Sequence, residues 1–219
     1  MRKLLLAAVL LLAVPTVSRA QFGLGLRIGY GAPGGDLMKD PTSGATDKYA
    51  DSVKSQTEFQ LDAMFKTTAT TAAGIYLGYA PNTIGGLLKD LCNLGASCSS
   101  YTFRAGLQLT GEFLDLGPVG LWGGVGTGYE AISFTLEAGG YKMETQLRGW
   151  EWATISAGAD LKPSRLINAG LYVSYGLGQF TVQSLKESGT VSSDETHGLG
   201  SDKTTHSMFQ IGLRGLFNL

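Results

Sequence analysis

The residues able to do nucleophilic or metal chemistry in this chain are few, and their spacing works against them. There are two histidines, His197 and His206, and two cysteines, Cys92 and Cys98. A hydrolytic serine needs a histidine within hydrogen-bond reach, itself oriented by an acid. Ser207 adjoins His206, but neighbouring residues of an extended strand point to opposite faces. His197 stands among Gly and Thr in a polar stretch, so both histidines are expected to be solvated loop residues. A structural zinc takes four Cys or His ligands, which two cysteines without a nearby histidine do not supply. Cys92 and Cys98 read instead as a disulfide closing a small loop in an exported chain. The run Gly123-Gly-Val-Gly-Thr-Gly128 has the glycines of a phosphate loop. Such a loop lies between a strand and a helix, whereas here Tyr129 and Glu130 continue a strand. No catalytic, cofactor or metal site is expected, and the chain reads as non-enzymatic.

The composition shows what kind of scaffold carries so little chemistry. Charged residues are 16% of the 219 residues and 32 are glycine, against about 25% charged and about 7% glycine in ordinary domains. Mean hydropathy is +0.08, too apolar for a disordered chain. The longest apolar run, Leu4–Val14, is too short for the ~18 residues of a membrane helix. A formal charge of −1 is unlike the basic balance of a nucleic-acid-binding domain. The N-terminus has the layout of an export signal: Arg2 and Lys3, the apolar run, then Ser18-Arg19-Ala20 with small residues where a signal peptidase needs them. Cleavage is expected between Ala20 and Gln21, giving a signal peptide over residues 1–20 and one domain over 21–219. Gln21 offers no thiol for lipid attachment. Without Arg2, Lys3 and Arg19 the 17 basic residues become 14, against 18 acidic ones, a formal −4.

The rest of the chain alternates with a period of two, the signature of half-buried strands. Eight segments show it: 22–31, 58–66, 72–80, 102–113, 119–131, 147–161, 169–180 and 208–219. In the first, Phe22, Leu24, Leu26, Ile28 and Tyr30 share one face, and Gly23, Gly25, Arg27 and Gly29 the other. In the last, Phe209, Ile211, Leu213, Phe217 and Leu219 oppose Gln210, Gly212, Arg214 and Asn218. The 147–161 segment is irregular. One parity turns Ile155, Ala157, Ala159 and Glu151 to the greasy face; the other turns Trp150 and Trp152 there. A β-bulge near residue 153 would reconcile them. The connections 32–57, 81–101, 132–146 and 181–205 are long and polar, and 67–71, 114–118 and 162–168 are short. This strict alternation predicts an eight-stranded antiparallel up-and-down meander with all long loops at one end and both termini at the other.

Such a closed sheet is either a soluble barrel with an apolar interior or a membrane barrel with an apolar exterior. The small-residue face carries Arg27, Asp62, Arg104, Glu112, Glu130, Asp160 and Arg214. These are balanced in sign and sparse among glycines, as in a packed polar lumen. The greasy face has aromatics at both segment ends: Phe22, Phe65, Phe113 and Phe217 near the short turns, and Tyr30, Phe59, Tyr79, Phe103, Tyr129 and Phe209 near the long loops. Two aromatic girdles are the mark of a transmembrane barrel. Within the lumen, Arg27 is expected to pair with Asp62 beside Arg214, and Arg104 with Glu130. Glu112 and Asp160 are expected toward the short-turn end.

Taken together, the signal peptide, the eight segments, the strand Trp122–Glu130 and the closing Phe209–Leu219 resemble the small outer-membrane β-barrels of the OmpA/OmpX type over the whole mature chain. The alternating last strand with a terminal aromatic is similar to the signal read by the barrel assembly machinery, although it ends in Leu219 with Phe217 two residues earlier. The resemblance implies a monomer in outer-membrane lipid with periplasmic termini and four extracellular loops, acting as a structural or surface-interaction protein. A narrow ion or solute channel and a lipid-modifying enzyme are the alternatives.

Overall fold

The computed structural model describes residues 22–39, 44–164, 166–189, 192–200 and 203–219. The export signal and its Ala20–Gln21 junction lie outside them. The elements in chain order are β1 (Phe22–Lys39), β2 (Thr46–Lys48), α1 (Tyr49–Ser52), β3 (Val53–Lys66), β4 (Thr71–Ile84), α2 (Gly86–Asn93), β5 (Ser97–Asp115), β6 (Val119–Ala138), β7 (Tyr141–Leu161), β8 (Ile167–Ser188), β9 (Ser193–Gly198) and β10 (Thr204–Asn218). Every pairing is antiparallel. The order runs β1-β3-β4-β5-β6-β7-β8-β10, and β10 pairs back onto β1, closing a ring of eight strands. Short β2 adds to the end of β1, and β9 to the end of β8.

The barrel is inside out relative to a soluble one. Along β1, Leu24, Leu26, Ile28 and Tyr30 are exposed while Arg27 is 5% exposed. The same division holds around the ring, with Leu61, Leu77, Leu107, Val125, Leu171 and Leu213 outward and Asp62, Tyr76, Gln108, Trp122, Tyr172 and Arg214 inward. A continuous apolar belt of this kind far exceeds what a soluble monomer exposes. In lipid it is the stable arrangement, because the closed ladder satisfies the backbone polar groups that hydrocarbon cannot. The structure is therefore a transmembrane β-barrel. Aromatics ring the belt at two levels. Phe22 packs on Phe65 at 5.1 Å near the short turns. Toward the long loops, Phe59 lies opposite Tyr79, Tyr79 opposite Phe103, and Tyr129 opposite Trp150.

The irregular segment does contain a bulge. Glu151 pairs with Gly178 and Ala153 with Leu177, leaving Trp152 as the extra residue. Trp150, Trp152 and Ile155 all face outward, and Glu151, 2% exposed, faces inward. One added residue resets the parity, so both halves of β7 keep their apolar side chains in lipid.

The long connections are less loop-like than their composition predicts. β1 runs on to Lys39, β5 begins at Ser97 and β8 reaches Ser188. The 132–146 stretch is an extension of β6 and β7 joined by Gly139 and Gly140, both at positive φ, as a two-residue hairpin turn requires. Inside this raised wall lies a small hydrophobic core of Leu37, Tyr49, Val53, Ile132, Leu147, Phe180 and Met208. It sits on the lumen like a lid, with α1 contributing Tyr49 to its centre.

Candidate functional site

The lumen is filled in tiers from the short-turn end upward. A polar vestibule of about 610 Å³ opens first, lined by Glu112, Lys162, Asp160 and Arg214. Lys162 bridges Glu112 at 2.8 Å and Asp115 at 3.2 Å. The Asp115 carboxyl is held below its ordinary range, chiefly by the Gly117 N–H and then by Lys162. Above the vestibule, the Trp122 indole donates to Asp160 at 3.0 Å. Its face carries the Arg214 guanidinium at 4.0 Å, with Arg27 at 5.5 Å. Arg214 also approaches Asp160 at 3.8 Å.

The next tier centres on Asp62, which accepts from Arg27 Nε at 2.8 Å, Gln60 Nε2 at 2.7 Å and Gln108 Nε2 at 2.7 Å. Arg27 Nη2 donates to Gln108 at 2.8 Å, closing the group. Higher still, Arg104 lies between two carboxylates. Its Nε donates to Glu151 at 2.7 Å, and its Nη1 donates to both oxygens of Glu58 at 3.1 Å. Gln210 donates to Glu58 and accepts from Ser174. Top in the polar column, His206 Nε2 lies 2.9 Å from Glu130 Oε2. The imidazole stacks on Phe180 with centroids 4.0 Å apart, and Tyr49 meets it edge-on. The central cavity left by this packing is about 20 Å³, room for about one water.

The glycines of the lumen face make this filling possible. A Cβ on Gly158 would stand 2.7 Å from the Trp122 ring, and one on Gly128 would stand 2.4 Å from the Tyr76 hydroxyl. Both positions lie opposite large inward side chains in a barrel only just wide enough to hold them. The run Gly123–Gly128 is strand, with no helix following it.

Of the sequence-derived cluster, Arg27, Asp62, Arg104, Glu130, Asp160 and Arg214 are all buried in the lumen. Glu112 is at the vestibule rim, half-buried against Lys162. Two expectations are corrected. Arg104 does stand opposite Glu130 in the ladder, yet it pairs across the lumen with Glu58 and Glu151, because in so narrow a barrel a long guanidinium reaches opposing walls. His206 is no solvated loop residue: it is 3% exposed and closes the polar column. His197 is exposed beside Glu195. Glu58, Glu151 and His206 were missed as lumen residues. Glu58 shares the parity of Gln60 and Asp62, and His206 that of Gln210 and Arg214, so a signal existed for both. The bulge concealed Glu151.

At the long-loop end, Cys92 and Cys98 are joined, tying the C-terminus of α2 to the start of β5. Closing so short a loop contributes about 2 kcal/mol in the chain-entropy picture. The Cys92→Ser/Cys98→Ser variant should insert normally but lose protease resistance across 86–98. Two thiols titrating in the unreduced native protein would rule out the bridge.

No protein-family model matches the sequence, and comparison with curated proteins finds no match. Solved structures do match. A major outer membrane protein from Thermus thermophilus superposes with a TM-score of 0.63 at 13% identity, over 91% of this chain and 99% of that one. The outer membrane protein OprG from Pseudomonas aeruginosa gives a TM-score of 0.54 at 15% identity, over 91% and 97%. With the apolar belt, the eight-strand closure and the polar lumen, these likenesses identify the fold as that of the small outer-membrane β-barrels.

Proposed function

We propose that this protein is a non-enzymatic integral barrel of the bacterial outer membrane, sealed along its lumen, that presents its long-loop end to the cell exterior as a structural or interaction surface. The observation that carries this reading is the closure: successive tiers of ion pairs, hydrogen bonds and apolar packing leave about 20 Å³ at the centre. The proposal of a non-enzymatic role is supported by the position of His206, which is 3% exposed and stacked on Phe180 within the lid, out of reach of a substrate. A monomer is part of the proposal, supported by the closed ring, in which each of the eight barrel strands is paired on both sides and none is left to pair with a second copy.

Purified protein in a planar bilayer should give no steady conductance. A large and steady single-channel current from the unmodified protein would replace this reading with that of a narrow channel. Turnover of lipid A or phospholipid by the purified protein would replace it with an enzyme.

The topology is proposed on the same basis. The first and last described residues, Phe22 and Leu219, lie at the short-turn end, and we propose that this end faces the periplasm, as expected for an exported chain with an even number of strands. Reactive tags inserted between Gly139 and Gly140 or near Ser193 should be labelled on intact cells by an impermeant reagent. Labelling only after rupture would invert the orientation.

A further inference from the structure

The hydrophobic lid does more than close the lumen: it forms the floor of a second cavity. This cavity, about 430 Å³, lies at the long-loop end, within the range of small-molecule sites. One wall is the raised β6–β7 hairpin, which supplies Phe134, Leu136, Met143 and Leu147; Leu37 and Met38 of β1 face it. Leu88 of α2 and Cys98 complete one side, so the disulfide holds part of this wall in place. The charged groups among the described lining residues are Asp47 of β2 and Asp51 of α1, both exposed at the rim. Neither has an ion pair among the described residues, since nearby Lys48 is engaged by Asp36. The site therefore offers an apolar body and a doubly acidic entrance.

We propose that this cavity binds a small amphipathic cation, an aliphatic or aromatic body carrying one positively charged amine. The apolar part would displace poorly held solvent from the Phe134–Leu136–Met143 wall, which supplies the affinity. The amine would remain at the rim between Asp47 and Asp51, which supplies the discrimination. An anionic amphiphile would bring its charge toward the same carboxylates and be rejected. The binding requires neither an open lumen nor any chemistry of the polar column. It is therefore tested separately from the closed-barrel reading.

The methionines provide the assay. Met38 and Met143 line the cavity, while Met64 is buried in the barrel lumen beside Gln108, away from the lid. Protein labelled with ¹³C-methyl methionine, in nanodiscs of zwitterionic lipid, is titrated with octyltrimethylammonium, 1-octanol and octyl sulfate in turn. The expected result is a saturable shift of the Met38 and Met143 methyls with Met64 unmoved. Affinity should fall from cation to alcohol to sulfate. Asp47→Asn with Asp51→Asn should weaken the cation roughly five- to tenfold, as two exposed ion pairs warrant, and leave octanol unchanged. Leu136→Trp, which fills the cavity, should abolish the shifts, and an unchanged Met64 signal would show that the barrel is intact. The proposal is overturned by the absence of saturable shifts at Met38 and Met143, by sulfate binding as well as the cation, or by a double Asn variant that keeps its full affinity for the cation.

Discussion

Replacing Arg104 with methionine should destabilise the barrel by about 3–5 kcal/mol, the cost of leaving buried charge without its partner. Arg104 is 4% exposed and is shared by Glu58 at 1% and Glu151 at 2%. Methionine retains much of the side-chain volume but none of the five N–H donors, so two carboxylates would face each other in a site that water scarcely enters. Urea unfolding in lipid vesicles, read by the gel shift between folded and boiled protein, measures the loss. Lys203→Ala, on the exposed long-loop side, should stay within about 0.5 kcal/mol of the parent. Arg214→Ala should fall between them, since its ion pair is long at 3.8 Å and much of its contact is with the Trp122 face. Adding Glu58→Gln and Glu151→Gln to Arg104→Met should recover most of the loss, because neutral groups do not need the guanidinium. If Arg104→Met proved as stable as Lys203→Ala, the lumen charges would be individually hydrated and the closed column would not exist.

The second large effect belongs to the lid. Phe180 is fully buried, stacks on His206 at 4.0 Å and meets Tyr49 at 6.1 Å. Truncation to alanine should cost about 3–5 kcal/mol, the range for removing a phenylalanine from a packed core. It should also speed proteolysis across residues 44–52, which carry Tyr49 into that core. Phe113→Ala makes the comparison informative, because Phe113 is 70% exposed on the membrane face and its removal leaves no cavity. Its cost should be well below that of Phe180→Ala. Equal costs would mean that the apolar residues at the mouth are not packed as a core.

Much of the scaffold was legible because a strand repeats every two residues and lipid punishes any error in that repeat. Leu24, Leu26, Ile28 and Tyr30 on one side and Arg27 on the other give both the strand and its membrane face. The alternation of long and short connections gives the order of the strands, since an antiparallel meander leaves little choice of neighbour. The Arg27–Asp62 pair was readable for the same reason: both side chains sit at similar depth on adjacent strands. The bulge in the 147–161 segment was readable as a conflict of parity at the two tryptophans, although not which way Glu151 would turn.

The pairing of Arg104 was not legible. Sequence proximity in the ladder favours Glu130, and only closure of the barrel brings Glu58 and Glu151 from other walls within 3.1 Å. His206 was misread for a related reason. Its neighbours are those of a loop, and its burial depends on Phe180 and Tyr49, which arrive from distant parts of the chain. The lid and the cavity above it were hidden in stretches whose Gly, Ser, Thr and Asp content resembles loop. Composition averages over a segment, whereas the lid needs only a few inward residues: Leu37, Tyr49 and Ile132 from such stretches, meeting Leu147 and Phe180 at the ends of the recognised strands. The sequence alone thus determined the strands, their order and the face each gives to lipid, because these follow from local periodicity. The tertiary structure decided which charges pair, which mouth is closed and where a cavity remains, because these depend on side chains meeting across the lumen from strands far apart in sequence.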